Sequence, residues 1–227
     1  MSKTWHLVQD DGPVWRVTNG AFPSNCYAST TGIPGECFLV DPGLDAPLVD
    51  RALVELGLTP KAVLCTHGHF DHAGGASYFQ KKYGCPVFLH SADTKTLRSS
   101  NFLLMAFKIP ARVELPDVTL VTAATGPLQI GLQEVRFIPA PGHTPGSCVI
   151  QCGSSLFTGD TLYSRGIGLS KLPGEDPDQL RETLLSLFEL PGSSMVHPGH
   201  GDSAAFDWIK RNNQALQAFL QEGSHHS

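Results

Sequence analysis

The stretch Thr66-His67-Gly68-His69-Phe70-Asp71-His72 is the most informative part of the chain, because it places three imidazoles and one carboxylate within six positions. Packed together in an ordinary core, such groups would repel one another or lack partners, so they indicate a bound cation. The apolar residues 62–65 precede this stretch and the small residues 73–76 follow it. This order predicts the end of a buried strand, a loop and the start of a helix.

The direction of each side chain in this stretch predicts two metal ions. Side chains alternate along an extended loop, so His67 and His69 are expected to face the same side. Asp71 and His72 turn in another direction as the helix begins. One short motif can therefore offer ligands to two neighbouring ions.

The remaining ligands are predicted in three later loops. Each follows an apolar run and stands beside Gly or Pro, where backbone turns aim side chains into a common cleft. The complete predicted set is His67, His69, Asp71, His72, His143, Asp160 and His200. We expect three His and a carboxylate at one ion and two His and two carboxylates at the other, with Asp160 shared. Zn²⁺ is the first choice for such ligands, and iron or manganese remain open.

The ordered ligand motifs resemble the metallo-β-lactamase superfamily. Val40-Asp41-Pro42-Gly43 is similar to the first motif of that family. Within the superfamily, the motifs around His143, Asp160 and His200 are most similar to glyoxalase II-like thioester hydrolases, the hydroxyacylglutathione hydrolases. The resemblance covers about residues 25–201 and implies an α/β fold, a four-layer αββα sandwich. Hydrophobic periodicity by itself predicts only a mixture of helices and strands.

The resemblance also implies a reaction and a substrate class. The expected enzyme is a binuclear metallohydrolase of thioesters such as hydroxyacylglutathione, acting through hydroxide held between two metal ions. His67, His69 and Asp71 are the expected catalytic residues, with Asp71 accepting and passing on the proton of the nucleophile. In glyoxalase II relatives, the loop after the shared Asp helps to bind substrate. Their Gly-Cys-Gly-Arg stretch is replaced here by Gly166-Ile167-Gly168-Leu169.

Three residues of that loop are candidate substrate contacts. Arg165 and Lys171 are placed to meet a substrate carboxylate, or are simply two solvated charges. Tyr163 motivates the main alternative, a lactonase of the acyl-homoserine lactone type. It stands three residues after Asp160, the spacing at which lactonases of this fold place a tyrosine near the substrate carbonyl.

Two other enzyme classes of this fold remain as alternatives. A persulfide dioxygenase would use a single iron on His67, His69 and His143. A true β-lactamase is less favoured, because residues 1–20 lack the apolar segment of a signal peptide.

Length and composition predict one metallo-β-lactamase-like domain over residues 1–227, without the further C-terminal helical domain of two-domain glyoxalase II enzymes. Residues 223–227, with His225 and His226, are interpreted as the remnant of an added tag. The net charge of -5 and the absence of a basic patch argue against nucleic acid, and no apolar stretch is long enough to cross a membrane. We expect a small-molecule substrate, six reduced cysteines and a cytoplasmic location. The oligomeric state is left open.

The remaining expectations concern individual elements. Antiparallel strands are predicted over residues 7–40, and strands dominate again over residues 118–162. Further strands are expected at 62–65 and 86–90, and helices at 48–58, 75–83, 178–189 and 206–220. Residues 102–109 either wall the cleft or pack a helix on the sheet, and packing is favoured. Structural roles are predicted for His6, His90 and His197, and a bracing role beside the ligands for Asp41.

Overall fold

The computed structural model describes residues 6–9, 13–20, 22–170 and 172–222. Its strands are β1 (His6–Gln9), β2 (Val14–Thr18), β3 (Asn25–Thr30), β4 (Glu36–Val40), β5 (Thr59–Leu64), β6 (Val87–His90), β7 (Val118–Val121), β8 (Leu128–Ile130), β9 (Gln133–Pro139), β10 (Cys148–Cys152), β11 (Ser155–Gly159), β12 (Leu162–Tyr163), β13 (Gly166–Ile167), β14 (Met195–Pro198) and β15 (Ala204–Ala205). Its helices are α1 (Ala46–Leu56), α2 (Phe70–Ala73), α3 (Ala76–Tyr83), α4 (Thr94–Arg98), α5 (Ser100–Ala106), α6 (Pro177–Leu187), α7 (Phe206–Asn212) and α8 (Gln214–Glu222), and a 3-10 turn spans Ser91–Asp93.

The strands form two large sheets and one small hairpin. The first sheet has seven strands in the order β1 to β7, and the second has six in the order β15-β14-β11-β10-β9-β8. β12 and β13 pair separately. The pairs β1–β2, β2–β3 and β3–β4 are antiparallel, as predicted for residues 7–40. The pairs β4–β5, β5–β6 and β6–β7 are parallel. None of the helices in the described part of the chain is long and apolar enough to cross a membrane.

Alternation along the strands of the first sheet creates two apolar layers. In β4, Cys37 and Leu39 point to one face and pack in a cluster with Val49 and Leu53 of α1 and with residues of α3. The intervening Phe38 and Val40 point to the other face. There they pack in a second cluster with β9, β10 and β11 of the second sheet. This inner layer is the interface between the two sheets.

The second sheet repeats this arrangement on its outer face. Val149 of β10 and Leu156 of β11 pack in one cluster with Leu180 of α6, Phe206 of α7 and Leu216 of α8. Helices therefore cover the outside of both sheets. The predicted four-layer αββα sandwich is confirmed, and the boundaries of the helices and strands predicted at 48–58, 62–65, 75–83, 86–90 and 178–189 differ by one to three residues.

One predicted helix, over residues 206–220, is wrong, because the structure breaks it at Asn213 into α7 and α8. Asn213 is fully buried and has an extended backbone. Its Nδ2 donates to the carbonyls of Tyr163 at 3.0 Å and Gly166 at 2.9 Å, and its Oδ1 accepts from the Leu216 amide at 3.0 Å. Tertiary hydrogen bonds thus outweigh the helical periodicity.

We expect Asn213→Ala to lower the free energy of unfolding by about 3 kcal/mol, because two buried carbonyls lose a donor and α8 loses its cap. The neighbouring Asn212→Ala is the matched control. The exposed Asn212 side chain donates only to the Trp208 carbonyl, so its loss is expected to change little. Urea unfolding of both variants measures the difference. Equal midpoints would rule out the buried role of Asn213.

Candidate metal centre

Four loops bring the seven predicted ligands to one end of the sandwich. They follow β5, β9, β11 and β14, the strands after which the sequence analysis places His67, His143, Asp160 and His200. The side chains of the seven residues are buried, apart from the half-buried His200. The structure therefore collects in one place residues that lie up to 133 positions apart in the chain (200 − 67 = 133).

Three imidazoles form the first group. His69 Nδ1 lies 3.1 Å from His67 Nε2 and 3.0 Å from His143 Nε2. These ring nitrogens converge within 4.8 Å of one another. Zinc–nitrogen bonds of about 2.0–2.1 Å at tetrahedral angles put neighbouring ligand atoms about 3.3 Å apart, so this group fits a divalent ion.

Asp71, His72 and His200 form the second group. Asp71 Oδ2 lies 3.3 Å from His72 Nε2 and 3.4 Å from His200 Nε2. Asp160 faces the same two rings, with Oδ1 at 3.3 Å from His72 Nε2 and Oδ2 at 3.4 Å from His200 Nε2. Its Oδ2 also lies 3.7 Å from His143 Nε2 of the first group. Asp160 thus lies between the two groups, and its role as a shared ligand stays a prediction.

Two buried atoms at this centre support a cation. Within the described residues, His72 Nε2 and Asp160 Oδ1 are buried and make no hydrogen bond. Buried polar atoms are nearly always hydrogen-bonded, so such exceptions need an explanation. A divalent ion bound by these side chains would supply the missing partner, and imidazole with carboxylate is a donor set that zinc, iron and manganese accept.

The two groups differ in their electrostatics. Burial lowers the pKa of His69 to about 4 and that of His67 well below its usual value, so both rings are neutral with lone pairs available. Burial also disfavours charge on His72 and His200, but the carboxylates outweigh it. They raise the pKa of His200 to about 9 and that of His72 well above normal. The second group therefore attracts positive charge, and a metal ion bound there would displace protons.

Asp41 orients the ring of His72. Its Oδ1 accepts the Thr66 amide at 2.8 Å, and its Oδ2 accepts the Thr66 hydroxyl at 2.6 Å. His72 Nδ1 lies 3.0 Å from Asp41 Oδ2 and donates to it, which leaves His72 Nε2 for the centre. This contact agrees with the bracing role predicted for Asp41.

Asp93 was missed by the sequence analysis. It is fully buried, and its carboxylate accepts the amide of Gly68 and, at 3.0 Å, the amide of Gly146. Gly68 lies between His67 and His69, and Gly146 lies in the loop of His143. One carboxylate therefore joins the two loops that carry the first group. The two glycines are the sequence signal that could have indicated this contact, because a side chain at either position would collide with Asp93. A Cβ at Gly146 would lie 2.6 Å from the Asp93 amide nitrogen, and one at Gly68 would lie 2.8 Å from the Asp93 carbonyl oxygen.

The three predicted substrate residues have different outcomes. Tyr163 lies beside the centre, with its ring 5.9 Å from that of His200 and edge-on to it. Arg165 lies over the ring of Trp208, 5.4 Å from the ring centre, and lines a neighbouring cavity instead. Lys171 lies outside the described residues. Only Tyr163 of the three is thus seen at the predicted metal centre.

Of the histidines for which structural roles are predicted, His197 and His90 have such environments and His6 does not. His197 is buried between the sheets, where its ring stacks on Phe157 at 5.0 Å and its Nδ1 lies 2.9 Å from Ser203 Oγ. His90 accepts the Ala92 amide at the start of the 3-10 turn. His6 is an exposed residue of β1, and His225 and His226 lie outside the described residues.

A cavity of about 480 Å³ opens onto the metal centre. His69, Asp71 and Asp160 are among its lining residues, and Leu103 and Phe107 form part of its wall. The preference for packing over residues 102–109 is therefore wrong for Phe107, whereas Leu103 lines the cavity and also packs against the cluster that contains Phe70. Leu104 of the same helix does pack inward, in a cluster with Phe70 and Val113. One turn of α5 thus serves both purposes, because its two faces meet different surroundings.

Known proteins are similar to this chain in sequence and in architecture. The family model of the metallo-beta-lactamase superfamily matches residues 19–200. A hydroxyacylglutathione hydrolase of Anaeromyxobacter dehalogenans is 37% identical over 180 residues, which are 78% of this chain and 62% of that protein. The B3 metallo-beta-lactamase BLEG-1 has a TM-score of 0.82 and 28% identity, over 89% of this chain and 99% of its own. TTHA1623, solved in a di-iron-bound form, has a TM-score of 0.77 and 30% identity, over 88% and 98%.

The family match includes all seven predicted ligands, and the resemblance inferred from the motifs is confirmed. The chain belongs to the metallo-beta-lactamase superfamily of metallo-hydrolases.

Proposed function

We propose that this protein hydrolyses thioesters at a binuclear centre. The observation that carries the proposal is the pair of donor groups, one of His67, His69 and His143 and the other of Asp71, His72 and His200, with Asp160 between them. The similarity to a hydroxyacylglutathione hydrolase supports a thioester as the substrate class. A thiolate is a good leaving group, so the site needs no strong general acid.

The residues of the chain provide the setting for this chemistry. Bound divalent ions would act as Lewis acids on the substrate carbonyl and supply a hydroxide nucleophile at neutral pH. Asp71 lines the cavity, where it could take up the nucleophile's proton transiently. The nearby His72 holds the pKa of the Asp71 carboxyl below the usual range despite burial, which keeps the group in its ionised form. Asp41 on His72 and the Gly168 carbonyl at 3.0 Å from His143 Nδ1 keep ring nitrogens turned toward the centre.

Zn²⁺ is the proposed metal, with iron as the first alternative. Imidazole and carboxylate ligands favour zinc. The neighbour TTHA1623, which was solved with two irons, supports the alternative. Elemental analysis of protein grown in defined medium tests the choice, and protein that holds and takes up none of Zn, Fe or Mn would contradict a metal centre.

Removal of metal tests the proposed activity. We expect chelation with EDTA to lower kcat/KM for S-lactoylglutathione by at least about 100-fold, since metal charge stabilisation is worth several kcal/mol. Addition of two equivalents of Zn²⁺ or Fe²⁺ should restore turnover. Full activity in metal-free protein would overturn the mechanism. No turnover of any thioester by the reloaded protein would overturn the substrate class.

A lactonase is the second candidate, and the position of Tyr163 at the cavity favours it. Tyr163→Phe separates the two functions when each is measured on a thioester and on an acyl-homoserine lactone. Lactone turnover that exceeds thioester turnover and falls about 100-fold in the variant would identify a lactonase, because an aligned donor to the carbonyl has been lost.

A β-lactam, for which BLEG-1 is named, is the third substrate to compare. A persulfide dioxygenase would need only the first group, and the intact second group disfavours it.

The proposed compartment is the cytoplasm. All six cysteines are buried and free of disulfides, which is typical of proteins in a reducing environment.

A further inference from the structure

We propose that the acyl group of the substrate is an apolar chain that lies in an aromatic cleft beside the metal centre. The aromatic cleft is defined by Phe22, Phe70, Leu103, Phe107 and Leu172. This inference rests on the proposed function, because it names the acyl class of the thioester. It differs from a hydroxyacyl group, which would carry a hydroxyl next to the carbonyl.

Three phenylalanines of the aromatic cleft lie against one another. Phe70 contacts Phe22 edge-on at 5.4 Å between ring centres, and Phe107 lies 6.2 Å from Phe70. The same cavity includes His69, Asp71 and Asp160. A substrate carbonyl at the metal centre would therefore have an apolar wall within reach of its acyl chain.

The aromatic cleft is held in place from behind. Phe70 is almost fully buried and packs in a cluster with Leu104 and Val113. Asn101 of α5 makes two hydrogen bonds of 2.9 Å with Val113, one to its carbonyl and one from its amide. Through these bonds and the cluster with Phe70, α5 is held against α2, which carries Asp71 and His72. A preformed apolar site of this size is typical of small-molecule binding.

Polar groups for the acyl chain are scarce in this cavity. Among the described residues that line it, none is Lys or Arg, and the polar side chains other than the predicted ligands belong to Tyr163 and Ser170. The Ser170 hydroxyl already donates to Glu175 Oε1 at 2.8 Å. A hydroxyl or carboxylate on the acyl chain would lose water and find little in exchange, which is unfavourable.

A second cavity indicates on which side of the metal centre each end of the thioester would bind. It has a volume of about 720 Å³, meets the first at Tyr163 and His200, and is lined by Arg165, Asp202 and Ser203 among others. The carbonyl carbon of a thioester has two substituents, the acyl chain and the thiol. A charged thiol carrier matches the second cavity, which contains Arg165, better than the aromatic cleft, where no described lining residue is Lys or Arg. The aromatic cleft is then left for the acyl chain.

The closing experiment uses metal-loaded full-length protein and thioesters of N-acetylcysteamine, a small neutral thiol. The series is acetyl, butyryl, hexanoyl and octanoyl, with 6-hydroxyhexanoyl as the polar match to hexanoyl, since a hydroxyl at that position does not readily close a lactone ring. Burial of one methylene group favours binding about two- to fourfold when it is largely removed from water. We expect kcat/KM to rise by at least about 50-fold from acetyl to octanoyl, and to be about tenfold lower for 6-hydroxyhexanoyl than for hexanoyl.

Two phenylalanines of the same segment provide the variant and its control. Phe107 lines the cavity and is 48% exposed, whereas Phe102 is 65% exposed and is not among the lining residues described. Phe107→Ser is expected to lower the octanoyl-to-acetyl ratio of kcat/KM about tenfold, since an apolar wall is replaced by a hydroxyl. Phe102→Ser should keep the ratio of the unchanged protein. If the two variants changed this ratio equally, the proposed binding of the acyl chain in the aromatic cleft would be overturned.

The outcomes separate this inference from the proposed function. Turnover that is flat or falls with chain length leaves the thioester hydrolase standing and overturns the apolar acyl class. Absence of turnover with every thioester overturns the proposed function itself. In that case, calorimetry measures the binding of octanoate and acetate, which tests the aromatic cleft without any reaction. Equal affinities for the two carboxylates would overturn the proposed apolar binding site.

Discussion

Asp160→Ala should lower kcat/KM for a thioester by at least about 10³-fold, the largest effect we expect from a single substitution. Its carboxylate lies within 3.4 Å of His72 Nε2 and His200 Nε2, and 3.7 Å from His143 Nε2. Its removal leaves the two groups without their shared ligand. We also expect the metal content to fall from two ions per chain toward one. Steady-state kinetics and elemental analysis of the same preparation measure both changes.

The control for Asp160 is Asp178→Ala. Asp178 is a solvent-exposed carboxylate at the start of α6, paired with Arg181 at 2.9 Å. Such a surface pair contributes little, so kinetics and metal content are expected to stay as they are. Circular dichroism confirms that both variants are folded. An Asp160→Ala protein that keeps two ions and full turnover would show that the two groups do not depend on Asp160.

Asp93→Asn should weaken metal binding by about 10- to 100-fold, although Asp93 is not itself a predicted ligand. The substitution keeps the size of the side chain but turns an amide NH₂ toward either the Gly68 or the Gly146 amide, which now lacks an acceptor. The loops that hold His67, His69 and His143 then lose their common anchor. Competition with a chelating dye measures the metal affinity, and kcat/KM is measured at increasing metal concentration.

The response to added metal distinguishes a positioning role from a loss of folding. We expect excess metal to restore a large part of the turnover of Asp93→Asn, because the ligands themselves remain. Asp117→Asn is the matched control, since Asp117 is exposed and its hydrogen bonds to Gln80 use only its backbone. If Asp93→Asn bound metal as tightly as Asp117→Asn, Asp93 would have no part in the centre.

The grouping of the ligands was accessible from the sequence because it depends on local geometry. His67 and His69 alternate along one loop, and the structure places both with His143. Asp71 and His72 begin α2, and the structure places both with His200. The identity of the third member of each group was not accessible in this way, since the chain between them forms two different sheets.

The residues that sequence analysis missed act over long separations. Asp93 contacts amides 25 and 53 positions away, and Asn213 donates to carbonyls 50 and 47 positions away. In the sequence, Asp93 looks like an ordinary residue before a helix, and Asn213 like a polar position on a helix surface. Their roles exist only where distant backbone groups meet in the folded chain.

The superfamily could be inferred from the sequence, because the order and spacing of its motifs are visible there. The four-layer sandwich and the seven predicted ligands followed from that resemblance. The side chains that surround those ligands could be known only from the folded structure. The aromatic cleft combines Phe22, Phe70 and Phe107 from three separate segments, and none of them stands out by its spacing. Apolar residues specify burial without naming a partner, so the shape and polarity of a cavity emerge only when the segments pack together.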